Sequence, residues 1–308
     1  MSLMLDNFIK ERRRLETGFF VSPVDGTKLF YYQSFPEIIK VGKPTYHLIL
    51  VHGAFEYHAR HETLHNYFAT NFPDNIIISA FDLRGHGLSE GIRSHVENFQ
   101  FYCEDLLAFL SLQKNLSTRV DFSFVLGHSM GGLIVAKTLA EFSSKIQIPL
   151  TGFILSNPAM KIKSFMARKT RKLVKFFSYK KPYFRSPLVF SLNDLGRDKD
   201  SVRNYKEDPL ITKSVSLSMV RELMETSLTF SQETVHFKIP SLSLLSGQDH
   251  IVDFQVTRDF MCKALGPEHK VIIYNETFHE LFREPEKEQV FSDMMNWILT
   301  IGDKNAKK

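Results

Sequence analysis

Gly127-His128-Ser129-Met130-Gly131 directly follows the apolar run Phe122 to Leu126 and precedes a helical pattern that begins at Gly131. This is G-x-S-x-G in a strand-to-helix setting, where flanking glycines let the chain turn sharply and leave the serine hydroxyl exposed. A serine hydroxyl is a weak nucleophile at neutral pH. It needs a histidine to accept its proton and a carboxylate to orient that histidine and stabilise its charge. The chain order for a serine on such a turn is Ser, acid, His. Asp249 follows the run Leu242 to Leu245, and His279 follows Val271 to Tyr274, so both fall on loops beyond strand ends, where a parallel sheet gathers its ligands.

The competing residues have other readings. Asp253 falls where the next helix begins and reads as its N-terminal cap. His250 abuts the candidate acid, and His269 precedes its strand rather than following it. An acyl-transfer intermediate also needs preorganised backbone N–H donors, one from the residue after the nucleophile and one from an early loop. Met130 supplies the first; Ala54, in His52-Gly53-Ala54-Phe55 after Leu48 to Val51, is the choice for the second. A rival motif, His61-Glu62-Thr63-Leu64-His65, fits H-E-x-x-H, which on a helix presents two zinc ligands and a general base. Its imaginable third ligand, Glu90, sits in a glycine-rich turn, and zinc would explain none of the other elements. These residues are therefore expected on a solvent-facing helix surface, with no metal.

The elements that must position these groups are short apolar runs alternating with helical periodicity, as βαβ units of a mostly parallel α/β sheet require. Strand-like runs are Leu48 to Val51, Ile76 to Phe81, Phe122 to Leu126, Gly152 to Leu155, Leu242 to Leu245 and Val271 to Tyr274. Helix candidates lie at about 60–71, 99–114, 131–144, 253–265 and 285–301, and 15–21 with 28–33 suggests an antiparallel edge hairpin. The alternation stops after Pro158 and resumes near Pro240, marking an insertion at about 159–238 inside one domain spanning 1–308. Within Lys161 to Arg185 there are ten Lys or Arg and no Asp or Glu, interleaved with Ile162, Phe165, Met166, Leu173, Val174, Phe176 and Phe177. That composition reads as a basic, apolar helical face.

With 308 residues, 43% hydrophobic and 24% charged, and a net charge of +5, the chain has the composition of an ordinary globular protein. No stretch approaches the roughly 18 apolar residues of a membrane-spanning helix, and no export signal is visible, so a cytoplasmic or peripherally membrane-associated protein is expected. Two cysteines, Cys103 and Cys262, lack disulfide-scaffold or metal-ligand spacing and read as buried thiols. No nucleic-acid-binding motif is present.

Taken together, these residues resemble an α/β-hydrolase of the monoacylglycerol lipase and lysophospholipase group, itself similar to the serine aminopeptidase-like hydrolases. The matching stretches are His52-Gly53-Ala54 with Glu56 and Arg60, Asp82-Leu83-Arg84-Gly85-His86-Gly87-Leu88-Ser89-Glu90-Gly91, residues 127–131, Asp208-Pro209-Leu210, and the Asp249 and His279 neighbourhoods. The resemblance spans about 50 to 290. It implies Ser129 as nucleophile, Asp249 as acid, His279 as base, Ala54 and Met130 as oxyanion amides, and a structural turn at Gly85-His86-Gly87. It also implies that the insertion is a cap whose apolar residues, Phe165 and Met166 among them, meet a lipid tail. Phe55 stands where the family often has glycine and Tyr57 where it often has histidine; both are expected at the mouth of the site. The implied activity is hydrolysis of a monoacyl lipid ester through an acyl-enzyme, without metal or organic cofactor. Alternatives are an aminopeptidase, a short-chain esterase, or a non-catalytic lipid- or protein-binding relative. The basic cap implies contact with anionic membrane surfaces.

Overall fold

The computed structural model describes residues 13–71, 75–116, 119–163, 168–188 and 190–306. Among them eight strands form one sheet in the order β1-β2-β4-β3-β5-β6-β9-β10. These are β1 (Arg13–Val21), β2 (Lys28–Pro36), β3 (Tyr46–Val51), β4 (Ile76–Phe81), β5 (Phe122–His128), β6 (Gly152–Ser156), β9 (Ser241–Ser246) and β10 (His269–Tyr274). β2 pairs antiparallel with both β1 and β4, as the hairpin reading expects, and the remaining pairings are parallel. Every residue of β3, β4, β5, β6 and β9 is buried. Strands covered on both faces read as nearly continuous apolar runs, here interrupted by small serines such as Ser79, Ser123 and Ser243, which is why they stood out in the sequence.

Successive residues of a strand serve opposite faces. Ile49 and Val51 join the core beneath α2 (Gln100–Leu112) and α3 (Met130–Glu141), with Phe109 and Leu133. Leu48 and Leu50 join the core beneath α1 (Glu62–Asn71) and α8 (Lys287–Ala306), with Phe68 and Trp297. Because β3, β5, β6, β9 and β10 run parallel, their carboxyl ends share one edge. The loops after them deliver His52 to Phe55, Ser129, Asn157, Asp249 and His279 to that edge.

Between β6 and β9 the chain leaves the sheet. It forms α4 (Arg168–Lys180), β7 (Arg185–Pro187), α5 (Lys199–Glu207), β8 (Ser214–Ser216) and α6 (Leu217–Phe230), β7 and β8 pairing antiparallel, before α7 (Phe254–Lys263) returns to the layer beside β10. Helix α4 lies inside the basic run. Several of the described cations are already engaged: Lys161 pairs with Asp253 (3.0 Å), Lys175 with Glu225 (2.7 Å), Lys163 donates to the Asp249 carbonyl, and Arg185 donates to the Ser214 carbonyl (2.6 Å).

Two expectations from the sequence are corrected. Cys103 is buried but Cys262 is exposed, because on α7 the buried face is taken by Thr257, Phe260 and Met261. His61 and His65 are buried rather than solvent-facing. His61 lies 3.3 Å from Glu56 and packs edge-on against Phe282, while His65 packs edge-on against Tyr32 and Glu62 pairs with Arg283. The three groups of the H-E-x-x-H stretch thus face separate partners.

Candidate active site

Ser129 stands at the turn from β5 into α3 with φ +52° and ψ −118°, a backbone conformation that side chains rarely adopt. The flanking glycines are there for want of space. A β-carbon on Gly127 would lie 2.4 Å from the Gly131 carbonyl oxygen, and one on Gly131 would lie 2.2 Å from that of Val51. The turn packs directly against the end of β3, and Ser129 itself lines the open space beyond it.

The three chemically complementary side chains meet. Ser129 Oγ donates to His279 Nε2 at 2.9 Å, and His279 Nδ1–H donates to Asp249 Oδ2 at 2.7 Å. Asp249 is fully buried, and its other oxygen accepts the Ile251 and Val252 amides at 2.8 and 2.9 Å. Burial alone would lower the pKa of His279. The charge and hydrogen bond of Asp249, with smaller contributions from Glu280 and Glu56, outweigh it and hold the imidazole above 6.5. The competitors lie elsewhere. Asp253 caps α7 by accepting the Gln255 amide (3.2 Å), His250 packs against Phe278, and His269 bonds the Ser241 hydroxyl (2.8 Å).

The early loop is built by buried polar contacts. Glu56 accepts the Gly53 amide at 2.5 Å, which commits that N–H and leaves Ala54 as the neighbouring donor. Burial would raise the Glu56 carboxyl, but His61, His128 and His52 around it hold it well below the usual carboxylate range. His52 Nε2 accepts the Leu83 amide (2.9 Å), and Asp82 accepts the His58 amide and ring (both 2.8 Å) and the Leu88 amide (2.8 Å). Asp82 and Leu83, just before the Gly85-His86-Gly87 turn, thus hold the early loop through His58 and His52. Met130 is the first residue of α3, so its N–H has no carbonyl inside the helix to donate to. Ala54 and Met130 both line the space beside Ser129. The arrangement can attack a carbonyl carbon and hold the resulting oxyanion between two amides.

That space is a pocket of about 680 Å³, open solvent at its mouth included, walled mainly by apolar side chains. Phe55 lines it, at φ +68°, with its ring 6.0 Å from that of Phe190. Glycine adopts such a left-handed backbone at no steric cost; here a phenyl ring is accommodated instead. Tyr57, expected at the mouth, does not line the pocket. It is buried, and its hydroxyl donates to Asp208 Oδ2 at 2.8 Å, tying the early loop to the insertion. Phe165 and Met166 lie outside the described residues. Among the described residues, the insertion adds apolar wall that sequence reasoning missed: Phe190, Leu195, Val215, and Met219, Val220 and Leu223 of α6. The one signal for the last three was their one-and-four spacing on a helix face.

Residues 42–286 match the model of the serine aminopeptidase, S33, family. The chain belongs to this family. It is 26% identical over 253 residues to phospholipase YtpA of Bacillus subtilis, covering 82% of this chain and 94% of that protein. It is 28% identical over 265 residues to human monoglyceride lipase, covering 83% of each. Among solved structures, a soluble variant of monoglyceride lipase from Saccharomyces cerevisiae, in complex with a substrate analog, superposes with a TM-score of 0.78 at 20% identity over 94% of each chain. Monoacylglycerol lipase from Paleococcus ferrophilus gives 0.73 at 21% identity over 94% of this chain and 99% of that one. The fold is that of the α/β-hydrolases, and the chain is a serine ester hydrolase of the monoacylglycerol lipase type. No helix of the described residues is long and apolar enough to cross a membrane.

Proposed function

We propose that the protein cleaves the carboxylic ester of a monoacyl lipid, a monoacylglycerol or lysophospholipid, through an acyl-enzyme on Ser129. Ser129 Oγ attacks the ester carbon as its proton passes to His279 Nε2, and the Ala54 and Met130 amides receive the oxyanion. His279 then protonates the leaving alkoxide, and water, deprotonated by the same nitrogen, releases the fatty acid. The observation that carries this reading is the hydrogen-bonded series Ser129, His279, Asp249 opening onto an apolar pocket walled in part by the insertion. Tyr205, whose buried hydroxyl has no hydrogen-bond partner among the described residues, lines the same pocket with Glu56 and Glu280, polar groups suited to a head group. An aminopeptidase would need a free carboxylate there for the substrate ammonium. Glu56 is committed to Gly53 and His61, and Glu280 to Arg60 (2.5 Å). In a panel of monoacylglycerols, lysophospholipids, nitrophenyl esters and aminoacyl amides, kcat/KM is expected to be greatest for a monoacyl lipid; faster cleavage of the amides would refute the reading.

The insertion also carries the proposed membrane contact. On and after α4, Phe176, Phe177, Tyr179, Tyr183 and Phe184 are exposed beside the exposed Lys172, Lys180 and Lys181. Bulky apolar groups among cations suit an anionic lipid surface, where each cation contributes about 1 kcal/mol. Changing these three lysines to glutamine is expected to weaken binding to anionic vesicles by about 3 kcal/mol, on the order of a hundredfold, and to slow turnover of vesicle-borne lipid. Hydrolysis of a soluble short-chain ester stays unchanged. Salt should mimic the substitution, since the screening length falls from about 10 Å at 0.1 M to about 3 Å at 1 M. Equal slowing of both substrates, or no vesicle affinity in the unmodified protein at low salt, would remove the membrane role.

A further inference from the structure

Asn157 follows the last residue of β6 and has φ +42°, in the left-handed region, immediately before Pro158. Asparagine tolerates this region better than most residues, but such strain persists only where the surroundings over-determine it. They do here. The side chain is fully buried and every polar atom of its amide is used. Oδ1 accepts the Ser246 amide at 2.8 Å, while Nδ2 donates to Ser246 Oγ at 2.8 Å and to the His279 carbonyl at 2.7 Å. The amide orientation is forced, since one partner is a donor and another a carbonyl. Ser246 Oγ in turn donates to the Phe278 carbonyl at 2.5 Å and lies 3.0 Å from the Thr277 hydroxyl. The Asn157 backbone amide donates to the Leu244 carbonyl at 3.0 Å.

We propose that Asn157 is a positioning residue of the hydrolytic site, whose amide clamps the His279 loop to the ends of β6 and β9 and so fixes the imidazole between Asp249 and Ser129. β9 ends at Ser246, three residues before Asp249, so one side chain sets the acid's strand and the base's loop relative to each other. Asn157 touches no reacting atom. It acts by bonding the His279 carbonyl directly, which other links between these two segments, such as Ser246 Oγ to the Phe278 carbonyl and the Gln248 amide to the Thr277 carbonyl (3.1 Å), do not. The proposal rests on Ser129, Asp249 and His279 being the working groups.

Asn157→Gly keeps the positive φ available and deletes the amide. Displacing a catalytic group by about 1 Å costs on the order of a hundredfold. The variant should therefore lose about ten- to a hundredfold in kcat, with KM within about twofold, because the pocket wall is untouched. The acidic limb of its rate profile should move to lower pH, since the Asp249 contact that raises the His279 pKa is loosened. A merely structural role would lower the melting temperature without moving that limb. Ser246→Ala, which keeps Asn157 but removes the hydroxyl link to Phe278, should shift both quantities less and in the same direction. Rates are expressed per site titrated to completion with a fluorophosphonate, so that a partly unfolded preparation does not mimic the effect. A kcat and acidic limb like those of the unmodified protein in either variant would overturn the clamp. If Ser129→Ala is inactive in parallel, such a result leaves the triad standing; an active Ser129→Ala would bring down both.

Discussion

Replacing Ser129 by alanine is expected to abolish fluorophosphonate labelling and to lower ester hydrolysis by about a millionfold, the size of loss seen when a triad nucleophile is removed. The fold should survive. The hydroxyl's one hydrogen bond is to His279, and the strained turn is held by the packing of Gly127 and Gly131, which the substitution does not touch. Ser129→Gly provides an internal control, since it deletes the same hydroxyl and also relieves the φ of +52°. It should be as inactive as the alanine variant but more stable than it by about 1–3 kcal/mol, the usual cost of such a backbone. Covalent labelling that persists at another residue in either variant would show that Ser129 is not the nucleophile.

Asp249→Asn should cost about ten-thousandfold in kcat with the protein still folded, by the same logic as in other triads. The structure supplies the reason. The Ile251 and Val252 amides both donate to Asp249 Oδ1, so an asparagine must keep its oxygen there and turn its NH₂ toward His279 Nδ1. Nδ1 must then accept, the proton moves to Nε2, and the lone pair that would take the Ser129 proton is gone. The pH profile gives a second reading. His279 must be neutral to act as a base, so activity falls as pH is lowered through its pKa, which lies above 6.5 in the unmodified protein. Burial lowers that pKa and Asp249 is the chief influence raising it, so the residual activity of the variant should retain its acidic limb only at lower pH. Asp253→Asn should leave kcat within about twofold, because asparagine caps a helix as well as aspartate does. If Asp253→Asn were the damaging change, the acid would be misassigned.

The sequence by itself determined those features that depend on a residue and its immediate neighbours. The central strands were legible because burial on both faces favours a nearly continuous apolar run, and Ser129 because its turn demands glycine on each side. Asp249 and His279 could be picked from their competitors because each follows a strand whose neighbours in the sheet run parallel, and Asp253 set aside because it precedes a helix.

What the tertiary structure decided is the set of contacts between segments far apart in the chain. The buried Glu56 carboxyl is held well below the usual carboxylate range because His61, His128 and His52 from different elements surround it. Tyr57 leaves the pocket mouth because Asp208, 151 residues away, is a better partner for its hydroxyl than an apolar wall. His65 is buried because Tyr32 of β2 covers it. Part of the basic run is neutralised by Asp253 and Glu225, which no local pattern announces. Asn157, 122 residues before His279, reads in sequence as an ordinary residue before proline. Periodicity reports which face of an element is buried, but the partner of a buried polar group is chosen by the packing of remote elements, and that exists only once the sheet has closed and the insertion has folded back over it.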